Sequence, residues 1–131
     1  SGEEMLERAE RAGLPIGDLE RRKPVLLHGP LAAEECRRDL QISGDIYEAI
    51  YWHTTGRPEL GPLGEAVYVA DFAEPLRRYP EAAVTRAILD RDGFDAALRY
   101  VARARFEFSL KKAAASPISR EFYEWLCRES E

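Results

Sequence analysis

The sequence predicts an all-α fold, a compact helical bundle, and three observations predict it. Apolar residues recur at helical spacing in segment after segment. Strand-like alternation is scarce. Proline, glycine and serine punctuate the chain at short intervals, which suits short connections between packed helices.

The elements follow in order. Ser1 caps a helix carrying Met5, Leu6, Ala9 and Ala12, which Gly13 and Pro15 end. Asp18 starts a short polar helical turn that stops before Pro24. After the apolar run Pro24–Leu27, Pro30 fits the first turn of a helix with Leu31, Ala32, Cys36 and Leu40. Ser43-Gly44-Asp45 leads into a helix with Ile46, Ala49, Ile50 and His53 at helical spacing, broken by Gly56-Arg57-Pro58. Residues 58–62 hold two prolines and read as a loop.

Leu63 to Ala73 reads as a helix apolar nearly all round, hence central, and Pro75 ends it. Pro80 opens a helix with Ala83, Val84, Ala87, Ile88 and Leu89. Beyond Gly93 lies the longest candidate, Phe94 to Ala115. Its stripe is Ala97, Leu98, Val101, Ala104, Phe108 and Leu110, with Arg99, Arg103, Glu107 and Lys111 facing away. Ser116-Pro117 breaks it, and Ser119 caps a last helix carrying Phe122, Tyr123, Leu126 and Cys127, with Glu121 favouring its N-terminus.

Bulk properties narrow the function. The 131 residues suit one domain spanning the whole chain. Nineteen Lys and Arg against 24 Asp and Glu, a net charge of −5, disfavour a broad nucleic-acid face but leave an anionic small molecule open. Cys36 and Cys127 lie far apart with no CxxC, as reduced cysteines of a cytoplasmic protein would. No apolar run approaches the ~20 residues of a membrane span, and no signal-like segment opens the chain.

Three residues carry the chemistry. His28 closes the apolar run Pro24–Leu27, His53 opens His53-Thr54-Thr55-Gly56-Arg57-Pro58, and Asp71 interrupts the apolar Ala66–Ala73. Ionisable groups in apolar surroundings are costly unless paired or metal-bound. His28 and His53 are the only two histidines in the chain. Imidazole nitrogen and carboxylate oxygen suit zinc, iron or manganese, and three ligands on three helices would make a metal site in the bundle core. A buried hydrogen-bonded network that fixes helix packing is the competing reading. Arg57 offers an anion handle, and Thr54, Thr55 and the Gly56 backbone offer donors. Arg77, Arg78 and Lys111-Lys112 read as solvated surface. Metal, arginine and hydroxyls together favour hydrolysis of a phosphate ester or anhydride.

Three stretches, PVLLHGPLAAEECRRDLQI, IYEAIYWHTTGRPELGPLGEAVYVADFAEP and SPISREFYEWL, resemble the YqeK-type HD-domain proteins. These are the bacterial symmetrical bis(5′-nucleosyl)-tetraphosphatases, which split diadenosine tetraphosphate into two ADP. The resemblance runs from about Glu3 onward. It implies an HD-domain-like helical bundle with a two-metal site, commonly iron, with manganese or another transition metal as the alternative. It places His28, His53 and Asp71 on the metals and Thr54, Thr55, Gly56 and Arg57 near the substrate phosphates. Glu74, with Pro75, matches a supporting or helix-ending position. The family's first ligand histidine and its His-Asp doublet have no counterpart here, so the expectation is a C-terminal portion of such a domain. The partner expected is a nucleotide, without nucleic acid or membrane, and a homodimer fits. Two alternatives stay open: a non-catalytic helical interaction module, and an HD hydrolase of another nucleotide.

Overall fold

The computed structural model describes residues 1–111 and 116–130. Among the described residues there are eight α-helices, one 3₁₀ helix and no strand. The helices are α1 Gly2–Arg11, α2 Asp18–Arg22, α3 His28–Leu40, α4 Gly44–Tyr51, α5 Pro62–Ala73, α6 Pro80–Asp92, α7 Phe94–Lys111 and α8 Pro117–Glu129, with the 3₁₀ helix at Pro24–Leu27.

Local chemistry sets most boundaries. Ser1 and Glu4 form a reciprocal capping box on α1. The Ser43 hydroxyl accepts from the Ile46 amide at the start of α4. Prolines stand in the first turn of α5, α6 and α8, where no backbone donor is missed. Gly93, at φ +94°, ends α6 in a region that suits glycine.

Two packing units result. The larger joins α5, α7 and α8, where Tyr68, Val69, Phe72, Leu98, Val101 and Phe122 are buried. The Tyr68 and Phe122 rings meet edge-on with centroids 5.2 Å apart. The smaller gathers Ala9, Leu27 and Leu31 beneath α1, the 3₁₀ helix and α3. Helix α4 packs on both α3 and α5 and so links them. At the α3–α4 seam the Tyr47 hydroxyl donates to the Glu34 carboxylate, which Arg37 also contacts. Burial and Glu34 push the Tyr47 hydroxyl up to about 12.

Several expectations shift. Helix α3 begins at His28, two residues before Pro30, because the 3₁₀ turn runs straight into it. Helix α5 buries one face only: Gly64, Tyr68, Val69, Phe72 and Ala73 are inside, while Leu63, Ala66 and Ala70 are exposed. On α7 the buried stripe is Ala97, Leu98, Val101 and Ala102, with Phe108 and Leu110 exposed. Residues 112–115, assigned to that helix from sequence, lie outside the described residues. The cap of α8 is Ser116, since Pro117 already starts the helix, and Ser119 is a buried residue within it. No helix among the described residues is long and apolar enough to cross a membrane.

Candidate metal and phosphate site

His28 is the first residue of α3 and His53 lies in the turn after α4. Gly29 brings the two together. A β-carbon there would stand 2.7 Å from the Tyr51 carbonyl oxygen and 3.1 Å from that of Ile50, so only glycine lets α3 lie this close to the end of α4. The two Nε2 atoms then face each other at 2.9 Å, with ring centroids 4.7 Å apart.

A backbone carbonyl fixes the tautomer of one ring. His53 Nδ1 lies 2.6 Å from the Ile50 carbonyl oxygen, which can only accept. In the neutral ring Nδ1 therefore carries the proton, and Nε2 accepts the hydrogen bond that His28 Nε2 donates at 2.9 Å. The anchoring of one ring nitrogen on a carbonyl is the usual support for a metal-bound imidazole. Burial, then the neighbouring His53, lower the pKa of His28, against a smaller opposing effect of Asp71. Its ring is accordingly neutral at neutral pH, as a ligand requires.

Asp71 occupies the last turn of α5, on the wall of the same cavity. Each of its carboxylate oxygens accepts from an arginine: Oδ1 from Arg77 Nη2 at 3.0 Å and Oδ2 from Arg105 Nη2 at 3.1 Å. Arg105 reaches in from α7 and also donates from Nη1 to the Thr54 carbonyl oxygen at 3.0 Å. Its guanidinium lies 4.9 Å from the Tyr68 ring centroid and 5.1 Å from that of Phe72. The Ser119 hydroxyl donates to the Thr55 carbonyl oxygen at 3.1 Å. Helices α7 and α8 thus pin the turn that presents His53.

The cavity measures about 660 Å³ and is lined by His28, His53, Thr54, Thr55 and Asp71. Lys23, Arg77, Arg105 and Lys111 add positive charge, Glu81 adds a carboxylate, Arg103 and Glu107 line it as an ion pair, and Phe72, Tyr79 and Tyr100 add aromatic wall; Arg103, Glu107 and Lys111, expected to face away, thus border the cavity. A space of this size, part apolar and with more cationic than anionic side chains, is chemically suited to a nucleotide with its phosphates.

Gly56 and Arg57 sit elsewhere. The Gly56 amide donates to the Trp52 carbonyl oxygen at 2.8 Å, and its φ of +69° closes the turn against Phe122. A β-carbon there would fall 2.2 Å from Phe122 Cδ2. Gly56 thus serves the turn itself. Arg57 turns away from the cavity: Nη1 donates to Glu48 Oε1 at 3.0 Å and the guanidinium covers the Trp52 ring. Glu74 also faces away, accepting from the Leu76 amide at 2.9 Å in the turn after α5. Arg77, read from sequence as surface, lines the cavity. Arg105 and Ser119 were not among the candidate site residues. Leu98, Val101, Ala102 and Arg105 follow the buried spacing of α7, so an arginine interrupting that stripe was the available signal.

The donors test the fit of a metal. Two imidazole nitrogens on adjacent positions around one cation at ~2.1 Å stand ~3.0 Å apart, close to the observed spacing. Asp71 stands apart in its ion pairs, and among the described residues no three His, Cys, Asp or Glu side chains form a ready cation cluster. The spacing of the histidine pair fits a divalent transition metal, whereas both Asp71 oxygens are engaged by arginines.

Comparison with known proteins identifies relatives of the chain. The chain is 30% identical over 125 residues to the symmetrical bis(5′-nucleosyl)-tetraphosphatase of Bacillus subtilis, covering 95% of this chain and 67% of that protein. It is 39% identical over 71 residues to the enzyme of the same name from Halalkalibacterium halodurans, covering 52% of this chain and 38% of the relative. A crystal structure from Clostridium acetobutylicum, described as an HD superfamily hydrolase involved in NAD metabolism, superposes with a TM-score of 0.86 at 28% identity. That match covers 98% of this chain and 69% of the other. No family model matches the chain.

Proposed function

Because the chain belongs to the symmetrical bis(5′-nucleosyl)-tetraphosphatase family of HD hydrolases, we propose that it is a metal-dependent phosphohydrolase of dinucleoside tetraphosphates. The substrate is diadenosine tetraphosphate, released as two ADP. His28, His53 and Asp71 hold a divalent cation, iron or manganese. The observation that carries this reading is the pair of facing Nε2 atoms at 2.9 Å, one oriented by the Ile50 carbonyl.

The residues divide the work. His53 keeps its Nδ1 proton on Ile50, so its Nε2 lone pair is permanently directed at the site. His28 contributes a second neutral imidazole from the start of α3. When bound, the cation supplies Lewis acidity toward a phosphoryl oxygen and lowers the pKa of water. Arg77 and Arg105 place positive charge where the polyphosphate lies. Arg105 also holds the Thr54 carbonyl, which keeps the His53 turn seated during binding. Tyr79 and Tyr100 give the wall a surface on which a nucleobase stacks.

The chain spans 67% of its Bacillus relative, so the test reads cation binding as well as turnover. Manganese titration should show a site that His53→Ala removes. Release of ADP from diadenosine tetraphosphate should exceed cleavage of NAD, and His53→Ala should abolish it. Undiminished cation binding in His53→Ala would remove that residue from the ligand set.

A further inference from the structure

Three carboxylates border the cavity, those of Asp71, Glu81 and Glu107. Two are tied down. Asp71 is held by Arg77 and Arg105, and Glu107 by Arg103 at 2.9 Å. Glu81, in the first turn of α6, is different: among the described residues its carboxylate has no hydrogen bond or ion pair.

The charges of the cavity are also sorted. The Tyr79 hydroxyl donates to the carbonyl oxygen of Phe72, next to Asp71, at 2.9 Å. Burial pushes that hydroxyl up, and Arg77 and Arg105 oppose the rise. The Tyr100 hydroxyl is pushed up by burial and then by Glu81 and Glu107. Tyr79 thus stands at the arginine end of the cavity and Tyr100 at the carboxylate end. Glu81 lies two residues beyond Tyr79, where the one end gives way to the other.

A carboxylate repels phosphate and accepts N–H groups. A nucleotide brings both kinds of group, phosphates at one end and a base edge at the other. Guanine presents two parallel N–H donors, from N1 and the 2-amino group, which match the two oxygens of a carboxylate as a guanidinium does. Adenine presents only its 6-amino group, beside the acceptor N1, so the second oxygen meets a lone pair.

We propose that Glu81 reads the edge of the nucleobase, with the base on the Tyr100 side and the phosphates toward Arg77 and the histidines, and that the site prefers guanine to adenine. This rests on the cavity being a nucleotide site and adds the base to that reading. Diadenosine tetraphosphate still fits, with one donor to Glu81 where guanine has two.

Calorimetry on the full chain, with manganese held constant, reads this from three nucleoside diphosphates. GDP should bind about tenfold more tightly than ADP, the scale of one added charge-assisted hydrogen bond. IDP lacks the 2-amino group and should bind within about twofold of ADP. Glu81→Ala should bring GDP and ADP to within about twofold of each other. Glu107→Ala removes an equal charge from the same wall and should keep the preference. GDP no tighter than ADP in the wild type overturns the base contact alone. So does a preference that survives Glu81→Ala, or one that Glu107→Ala removes equally. A wild-type chain that binds none of the three defeats the nucleotide reading of the cavity, and the base contact falls with it.

Discussion

The two packing units of this protein differ in size, and the candidate site is shared between them. The larger unit, built on α5, α7 and α8, carries Asp71 and Arg105. The smaller unit, built on α1, the 3₁₀ helix and α3, carries His28. His53 lies between, on a turn that Phe122, Arg105 and Ser119 hold from the larger side. The difference teaches that the candidate ligands do not share one support. Damage to the large unit should unfold the molecule, whereas damage to the small unit should move His28 relative to His53.

Truncation of Phe122 should have the largest effect. Its ring is fully buried and packs on both Tyr68 and the Gly56 turn, so Phe122→Ala should cost about 3–5 kcal/mol in chemical denaturation. Gly56→Ala adds a β-carbon to the same contact from the other side, at a φ of +69°. Its cost should reach about 2–4 kcal/mol, strain and overpacking together. A loss below ~1 kcal/mol would mean that the turn can shift away from the ring.

Leu31→Ala probes the small unit and should cost about 2–3 kcal/mol. Manganese affinity should fall further in this variant than in Phe122→Ala measured under folded conditions. An equal fall in both would erase the proposed division of labour. Ser119→Ala leaves the Thr55 carbonyl without its hydroxyl donor and should cost about 1 kcal/mol.

The smallest effect is one of pH. His28 titrates lower in the folded chain than its ordinary 6.5, chiefly because of burial. In the window just below 6.5 the unfolded chain therefore binds more protons at this site, and stability falls as pH drops through that window. Well above 6.5 the contribution vanishes, because both states are neutral. Thermal melts between pH 7.5 and 5.5 should show a shallower acid limb for His28→Gln than for wild type. Parallel limbs would exclude His28 as a source of the slope.

Much of the bundle was legible in the sequence because its punctuation is local. Ser43, Pro80 and Gly93 each act on the backbone beside them, and each stands where its chemistry demands, whereas Pro62, read as loop, already opens α5. That His28, His53 and Asp71 border one cavity was also legible, since ionisable residues inside apolar runs need a reason, but Asp71 stands apart from the histidine pair in its ion pairs. What was not legible depended on side-chain direction across long separations. Arg57 is near His53 in sequence, yet it leaves the turn toward Glu48 and Trp52. Arg105 is 34 residues from Asp71 and meets it only because α7 packs beside α5. Ser119 looked like a cap because Ser-x-x at a helix start usually is one. Pro117 had already begun α8, which freed the Ser119 hydroxyl to reach Thr55.

Gly29 gives the tripeptide His28-Gly29-Pro30 a division of roles. The imidazole meets His53, the missing side chain sets the approach of α3 to Tyr51 and Ile50, and the proline stiffens the first turn behind them. In a library randomised at these three sites, position 29 should therefore be the least tolerant, accepting alanine poorly and anything larger not at all. The spacing of the two imidazoles is in this sense dictated by main chain against main chain, and exchanges on the outer surface of α3 should leave it untouched.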